Sequence, residues 1–527
     1  MRSTKILIAL LLIIGIVLPV MVSCAETSTN VTTAPPSVTT APADTSSQTG
    51  PGTTEAPSTS AGRVEASTNL PEGLHFDDNP VITFAYVEGH NGTFTARSIK
   101  LDEEEASSGD SVDAKIYERN EKVEESLGVE IEPVCVAEGI ADLRGAIKTS
   151  LTAGDPDYDV IAGYQYFDIG LAAEGRLLNL NELENQYIDI TKPYWATEYI
   201  ENITYQDNVF WVTGDLALRF TGGMYGTLIN KKIYDAKCLA TYGDIYDLAL
   251  SGNHAEGGWT LDLLMTMASL AFEDIGSEQD VVDEDDQLGF VIEMQDPCDG
   301  IAFGCGIEFS KKNLDGSYTV TFATNQRTTD LGTKLHELYN ADYTYVPADS
   351  DSDTTMTLFS SGNVFCVVNK IYQAEVFLRE MDDDFYILPC PKLNSDQRDY
   401  LTGLHDGVTL FGITYCSDVV DAAAATLEML ACESYNTVVP VYYDEALCYK
   451  YTRDDRAAEM IDIIRAGVTV DFAAAWSNDI NGIVQTYRSK TALKNLSSLL
   501  RKTGGGYNTS MTSLLTKLKN ATAEIPE

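Results

Sequence analysis

Five short stretches of this 527-residue chain set aromatic, amide, imidazole and carboxylate side chains close together: Glu88-Gly89-His90-Asn91, Tyr164-Gln165-Tyr166, Asp296 through Asp299, Asn369-Lys370-Ile371-Tyr372 and Gly403-Leu404-His405-Asp406-Gly407. Flat apolar faces cover the C–H groups of a ring. Neighbouring carboxylates, amides and hydroxyls exchange hydrogen bonds with its substituents. That chemistry holds a small polyhydroxylated molecule such as a sugar. The candidate contacts are Glu88, His90, Asn91, Tyr164, Gln165, Tyr166, Asp296, Asn369, Tyr372, His405 and Asp406, with Tyr225 added.

Bond-breaking chemistry has less support. The chain has no G-x-S-x-G elbow and no P-loop, and His336-Glu337 begins like a zinc motif but has Asn340 where the second His belongs. With 80 acidic residues, carboxylate pairs arise without design. A secreted carbohydrate-active enzyme remains an alternative, as does a receptor for polyamines or peptides. No cofactor and no metal are expected. Asp283 to Gly289 lacks the central Gly and final Glu of a calcium loop and reads as a solvated acidic turn.

The elements that must position these residues alternate. Val81 to Val87 reads as a strand, followed by a helix with Val112, Ile116, Val123 and Leu127 on one stripe, Ser111 as its cap and Gly128 as its stop. A strand over 129–136, a helix with Ile140, Leu143, Ile147 and Leu151 on one face, and a strand at Asp159 to Gly163 come next. This is the pattern of a parallel, helix-covered sheet. Ligands in such sheets bind beyond the carboxyl ends of the strands, where the five stretches fall. About 455 residues follow the N-terminal low-complexity region, enough for two cores.

The formal charge is -45, which disfavours partnership with nucleic acid or an anionic membrane surface. Ten cysteines at irregular spacings, with no C-x-x-C pair, form neither a disulfide framework nor a metal ribbon. Cys366, Cys390, Cys416 and Cys432 lie in apolar surroundings and read as small core hydrophobes. Trp195, Trp211 and Trp259 read as core or hinge residues.

Two basic residues, Arg2 and Lys5, precede an apolar run from Ile6 to Val22, the layout of a secretory signal over 1–23. Met21-Val22-Ser23-Cys24 resembles a bacterial lipobox, which makes Cys24 the expected lipidation site, with Met21 where Leu is preferred. Residues 24–70 are rich in Thr, Ser, Pro and Ala and read as a disordered tether. Together these place the folded part outside the cell, anchored to the outer face of the cytoplasmic membrane through lipid.

A more specific resemblance emerges along the chain. Asp159-Val160-Ile161 followed by Gly175-Arg176-Leu177-Leu178, then Asp207 to Val212, Gly226 to Tyr234, Gly258-Trp259-Thr260-Leu261-Asp262, Phe359 to Asn369 and Ile387-Leu388-Pro389-Cys390-Pro391 resemble, in order, segments of the extracellular solute-binding proteins of family 1. The resemblance covers nearly all of residues 80–490. It implies the type II periplasmic-binding-protein fold, two α/β lobes joined by hinge strands with a ligand cleft between them. Lobe 1 is expected over 71–215 and 403–440, and lobe 2 over 216–402 and 441–527. It also implies a monomeric receptor that closes on a small ligand and delivers it to the permease subunits of an ABC importer. Tyr372 matches the place of a sugar-stacking aromatic in that family, and Trp476 that of another in the late helical region.

Overall fold

The structure, a computed structural model, describes residues 64–87, 92–107, 109–153, 158–276, 281–348, 352–443 and 456–521. Cys24, the apolar N-terminal run and the loop carrying Glu88, His90 and Asn91 lie outside the described residues. The strands are β1 (Val81–Val87), β2 (Glu130–Ala137), β3 (Val160–Tyr164), β4 (Tyr225–Asn230), β5 (Leu288–Val291), β6 (Ser310–Lys312), β7 (Tyr318–Val320), β8 (Thr344–Tyr345), β9 (Val364–Lys370), β10 (Phe385–Pro389) and β11 (Thr409–Ile413).

They form two principal sheets, each with helices packed against it. The first has the order β11-β3-β1-β2, with β1 parallel to both β2 and β3, and β11 antiparallel to β3. The second has the order β10-β4-β9-β5-β8, in which β5 runs parallel to β8 and β9 while β4 runs antiparallel to β9 and β10. A small β6–β7 hairpin stands apart. The inner strands are apolar runs because helices leave neither face to water; β9 is buried along its whole length.

Two short helices, Gly92–Ile99 and Glu103–Ala106, that the sequence pattern did not predict follow β1; the next, Ser111–Leu127, buries the predicted stripe of Val112, Ile116, Val123 and Leu127. Its cap is Asp110 rather than Ser111. The Asp110 carboxylate accepts the N–H groups of Val112 and Asp113, satisfying donors that the first turn leaves open and placing a negative charge at the positive end of the helix. Gly128, at φ 65, ends it as expected. The next helix begins at Leu143, so Ile140 belongs to the turn ahead of it, and β2 starts one residue later than the sequence pattern placed it.

Two crossing strands join the sheets side by side. Tyr225 N–H donates to Gly403 at 3.1 Å, and His405 N–H donates to Gly223 at 3.0 Å. A third connection leaves helix Val420–Glu433 through a π-helical stretch, Ser434–Val438. Here the buried guanidinium of Arg119 donates to Ser434 Oγ and to the carbonyls of Ser98 and Ile99, neutral oxygens at a helix end; burial draws its pKa down to about 9. The N-terminal segment straps onto this same helix. Asn436 clamps the Ala66 backbone at both its N–H (2.9 Å) and its carbonyl (3.0 Å), and Asn69 N–H donates to Glu428 at 3.1 Å.

Trp195, Trp211 and Trp259 are buried, as are Cys366, Cys390 and Cys432, whereas Cys416 is half-buried. The eight described cysteines are free thiols. The acidic turn at 283–289 is not solvated throughout. Asp286 is fully buried and accepts backbone N–H bonds from Ile275, Gly276 and Asp283, which hold its carboxyl below the usual range against the opposing effect of burial. Among the described residues no helix is long and apolar enough to cross a membrane.

Candidate functional site

The carboxyl ends of β3, β5 and β9 and the entry to β11 converge between the two sheets. Tyr164 ends β3, Lys370 ends β9, Asp296 opens the helix after β5, and His405-Asp406 lies on the crossing strand that leads into β11. A closed cavity of about 20 Å³, room for a water molecule, is lined by Gln165, Tyr166, Tyr199, Asp299, Asp406 and Arg488 among others. That is far below the roughly 300–1,000 Å³ typical of small-molecule sites, so a ligand of sugar size enters only when the lobes part.

Behind this cavity the charges are arranged in pairs. Lys370 Nζ lies 2.6 Å from Asp296, whose other oxygen accepts the Tyr225 hydroxyl at 3.0 Å and faces His405 Nε2 at 3.6 Å. Burial opposes ionisation of Asp296, but Lys370 beside it holds the carboxyl well below the usual range, and the same pair raises the ammonium pKa. His405 Nδ1 accepts the Gly407 N–H at 3.0 Å, which leaves Nε2 as the protonated nitrogen of a neutral ring. Burial and then Lys370 push its pKa down to about 4.

Arg488 forms the second group. Its Nε and Nη2 grip both oxygens of Asp299, and Nη2 also reaches Asp406 at 3.0 Å. Burial pushes Asp299 up, to about 7, against the pull of Arg488, whereas Asp406, which burial also disfavours as an anion, is drawn below its ordinary value by Arg488 and His405. The rings stand around these pairs. Arg219 lies 5.5 Å above Tyr164, Tyr164 packs edge-on to His405, and Tyr372 meets Phe94 from the first sheet's side at 4.9 Å.

The structure thus brings Tyr164, Gln165, Tyr166, Tyr225, Asp296, Tyr372, His405 and Asp406 into one region. Asn369 is buried within β9, and its amide oxygen accepts the N–H of Lys370. Trp476 is buried against Phe472 and donates to the Ile203 carbonyl, while Ala474 and Ser477 on either side of it line the cavity. Asp299, Lys370, Arg219, Tyr199 and Arg488 were missed as site residues. Asp299 and Lys370 lie inside stretches that the sheet-end rule selects. Arg488 has no local signal, because it arrives from a turn far along the chain.

Two helix-covered α/β sheets linked by paired crossing strands, with facing strand ends around a polar cavity, define the type II periplasmic-binding fold expected from the sequence. Solved structures agree. The chain is similar to the UspC protein of M. tuberculosis (TM-score 0.51, 14% identity, 82% of this chain and 100% of that one). It is likewise similar to the GacH receptor of Streptomyces glaucescens, solved unliganded and with acarbose (0.50, 14%, 83% and 99%), and to a cyclo/maltodextrin-binding protein with maltotetraose (0.50, 12%, 85% and 98%). No family model and no curated protein sequence matches the chain.

Proposed function

We propose that this chain is the solute-binding receptor of an ABC importer and that it captures a neutral, polyhydroxylated ligand, a mono- or oligosaccharide, between its lobes. The carrying observation is the near-balance of charge in the cleft: Asp296, Asp299 and Asp406 face Lys370 and Arg488, with Arg219 beside them, and burial holds Asp299 and the neighbouring Glu293 up at about 7, only partly ionised. Matched pairs offer hydrogen-bond donors and acceptors to hydroxyls, whereas a charged ligand leaves a buried charge uncompensated. The overall acidity of the chain therefore does not favour the polyamine reading. The saccharide ligands of the GacH receptor and of the cyclo/maltodextrin-binding protein are consistent with this choice.

The contacts fall to Tyr164, Gln165, Tyr166, Tyr225, Asp296, Tyr372, His405 and Asp406, with Glu88, His90 and Asn91 following β1 in sequence; Asn369 and Trp476, both buried, reach a ligand only when the lobes part. Lobe 1 comprises 71–215 and 403–440, and lobe 2 comprises 216–402 and 441–527. The receptor acts as a monomer, leaves the cell through the 1–23 signal and is held at the membrane by lipid on Cys24 through a tether that ends before Ala66, where the chain is already bound to the fold.

A thermal-shift panel of maltose, maltotetraose, other oligosaccharides, spermidine, a tripeptide and glycerophosphocholine tests the reading. A ligand at 100 times its Kd adds about 2.7 kcal/mol to stability. Stabilisation by saccharides alone is expected; a shift with spermidine alone moves the assignment to cations, and hydrolysis of any saccharide makes the chain an enzyme. For the anchor, a Cys24→Ala variant should appear in the culture medium rather than in the membrane fraction.

A further inference from the structure

Arg488 touches both sides of the cleft with unequal grips. Toward the second sheet it is bidentate on Asp299, in the helix after β5, with both side chains nearly buried. A planar guanidinium held by two parallel bonds is fixed in orientation, so a third contact costs little further side-chain freedom. That third contact is Asp406 at 3.0 Å. Asp406 belongs to the first sheet's side: its backbone carbonyl accepts Tyr166 N–H at 3.0 Å, and its carboxylate accepts the Tyr164 hydroxyl at 3.4 Å.

Three further polar contacts join the two sides, His405 to Asp296 at 3.6 Å, Arg144 to Asp479 at 3.1 Å and Arg465 to Asp215 at 2.9 Å. The first involves a neutral imidazole, and in the second Arg144 is shared with Glu174. Arg465 and Asp215 do not line the cavity, whereas Arg488 and Asp406 carry opposite charges on its wall, so theirs is the ion pair that an entering ligand meets.

We infer that the Arg488–Asp406 contact is a latch: it holds the lobes closed without any ligand, and an entering ligand must exchange it for contacts of its own. The ligand clause rests on the receptor reading above, whereas closure by the latch does not. Affinity is then a difference between ligand contacts and latch contacts, and the latch favours ligands that satisfy a guanidinium and a carboxylate together.

The test uses the full chain without ligand, comparing wild type with Asp406→Asn and Arg488→Gln by small-angle scattering and by hydrogen exchange at the Gln165 and Tyr166 amides. The tether is common to all three, so differences in radius of gyration report the lobes. Both variants should be more expanded than wild type and exchange at those amides about tenfold faster, as local opening becomes cheaper.

Asp406→Asn keeps the Arg488–Asp299 pair and carries the test alone if Arg488→Gln fails to fold by circular dichroism. Wild-type compactness and exchange in folded Asp406→Asn would overturn the latch. A negative saccharide panel would overturn the ligand reading and leave the closure result standing.

Discussion

Lys370 and Asp296 meet at 2.6 Å at the end of β9 with both side chains almost wholly buried, and the Tyr225 hydroxyl completes the carboxylate's shell. The pair ties β9 to the helix after β5. Removing the ammonium strands a charge that water cannot reach. Lys370→Met should therefore lower unfolding free energy by about 3–5 kcal/mol in urea titrations, and the double variant Lys370→Met with Asp296→Leu should recover much of that loss. Equal losses in both would mean that packing, not the stranded charge, sets the cost.

His405 supplies a pH dependence whose sign is fixed. Its folded pKa of about 4 lies below the ordinary 6.5, so between these values the unfolded chain binds more protons. Its contribution is full above pH 6.5 and is lost as pH falls toward 4, by roughly 3 kcal/mol in all. The stability difference between wild type and His405→Gln should shrink by about that amount between pH 7 and pH 4. A difference that stays constant with pH would mean that the imidazole does not remain neutral in the folded state.

Gly407 lies where a Cβ would fall 2.5 Å from the Tyr164 ring. Gly407→Ala must displace that ring or the crossing strand. Overpacking of this kind costs about 1–3 kcal/mol. Affinity for the best saccharide in the panel should drop at least about tenfold, a loss of about 1.4 kcal/mol, and calorimetry on the folded variant checks this. Unchanged affinity would remove Tyr164 from the contact set.

Glu428 is a buried carboxylate that accepts the Tyr194 hydroxyl, Trp195 Nε1 and the backbone N–H groups of Asn69 and Asp189. Glu428→Ala leaves these donors without an acceptor, each at a cost of about 1–3 kcal/mol where water cannot replace it. The N-terminal strap should loosen first. Limited proteolysis is expected to cut between residues 64 and 72 much faster in Glu428→Ala, and somewhat faster in Asn436→Ala, than in wild type.

The sequence by itself determined the alternation of strands and helices, the buried stripe from Val112 to Leu127, the glycine stop at Gly128 and the four described stretches, at Tyr164, Asp296, Asn369 and Gly403, that gather at the strand ends. These are local matters, because the spacing of apolar residues decides which face of an element is buried. Asp110 took the cap from Ser111 for an equally local reason, since a carboxylate one residue earlier reaches two open N–H groups. What only the tertiary structure decided was pairing across the chain. Arg488 meets Asp299 and Asp406 from 189 and 82 residues away, and these two acids have a cation between them only because it arrives. No periodicity encodes such contacts: they follow from how two sheets and their crossing strands pack, and a charge reads as paired or unpaired only once its neighbours in space are known.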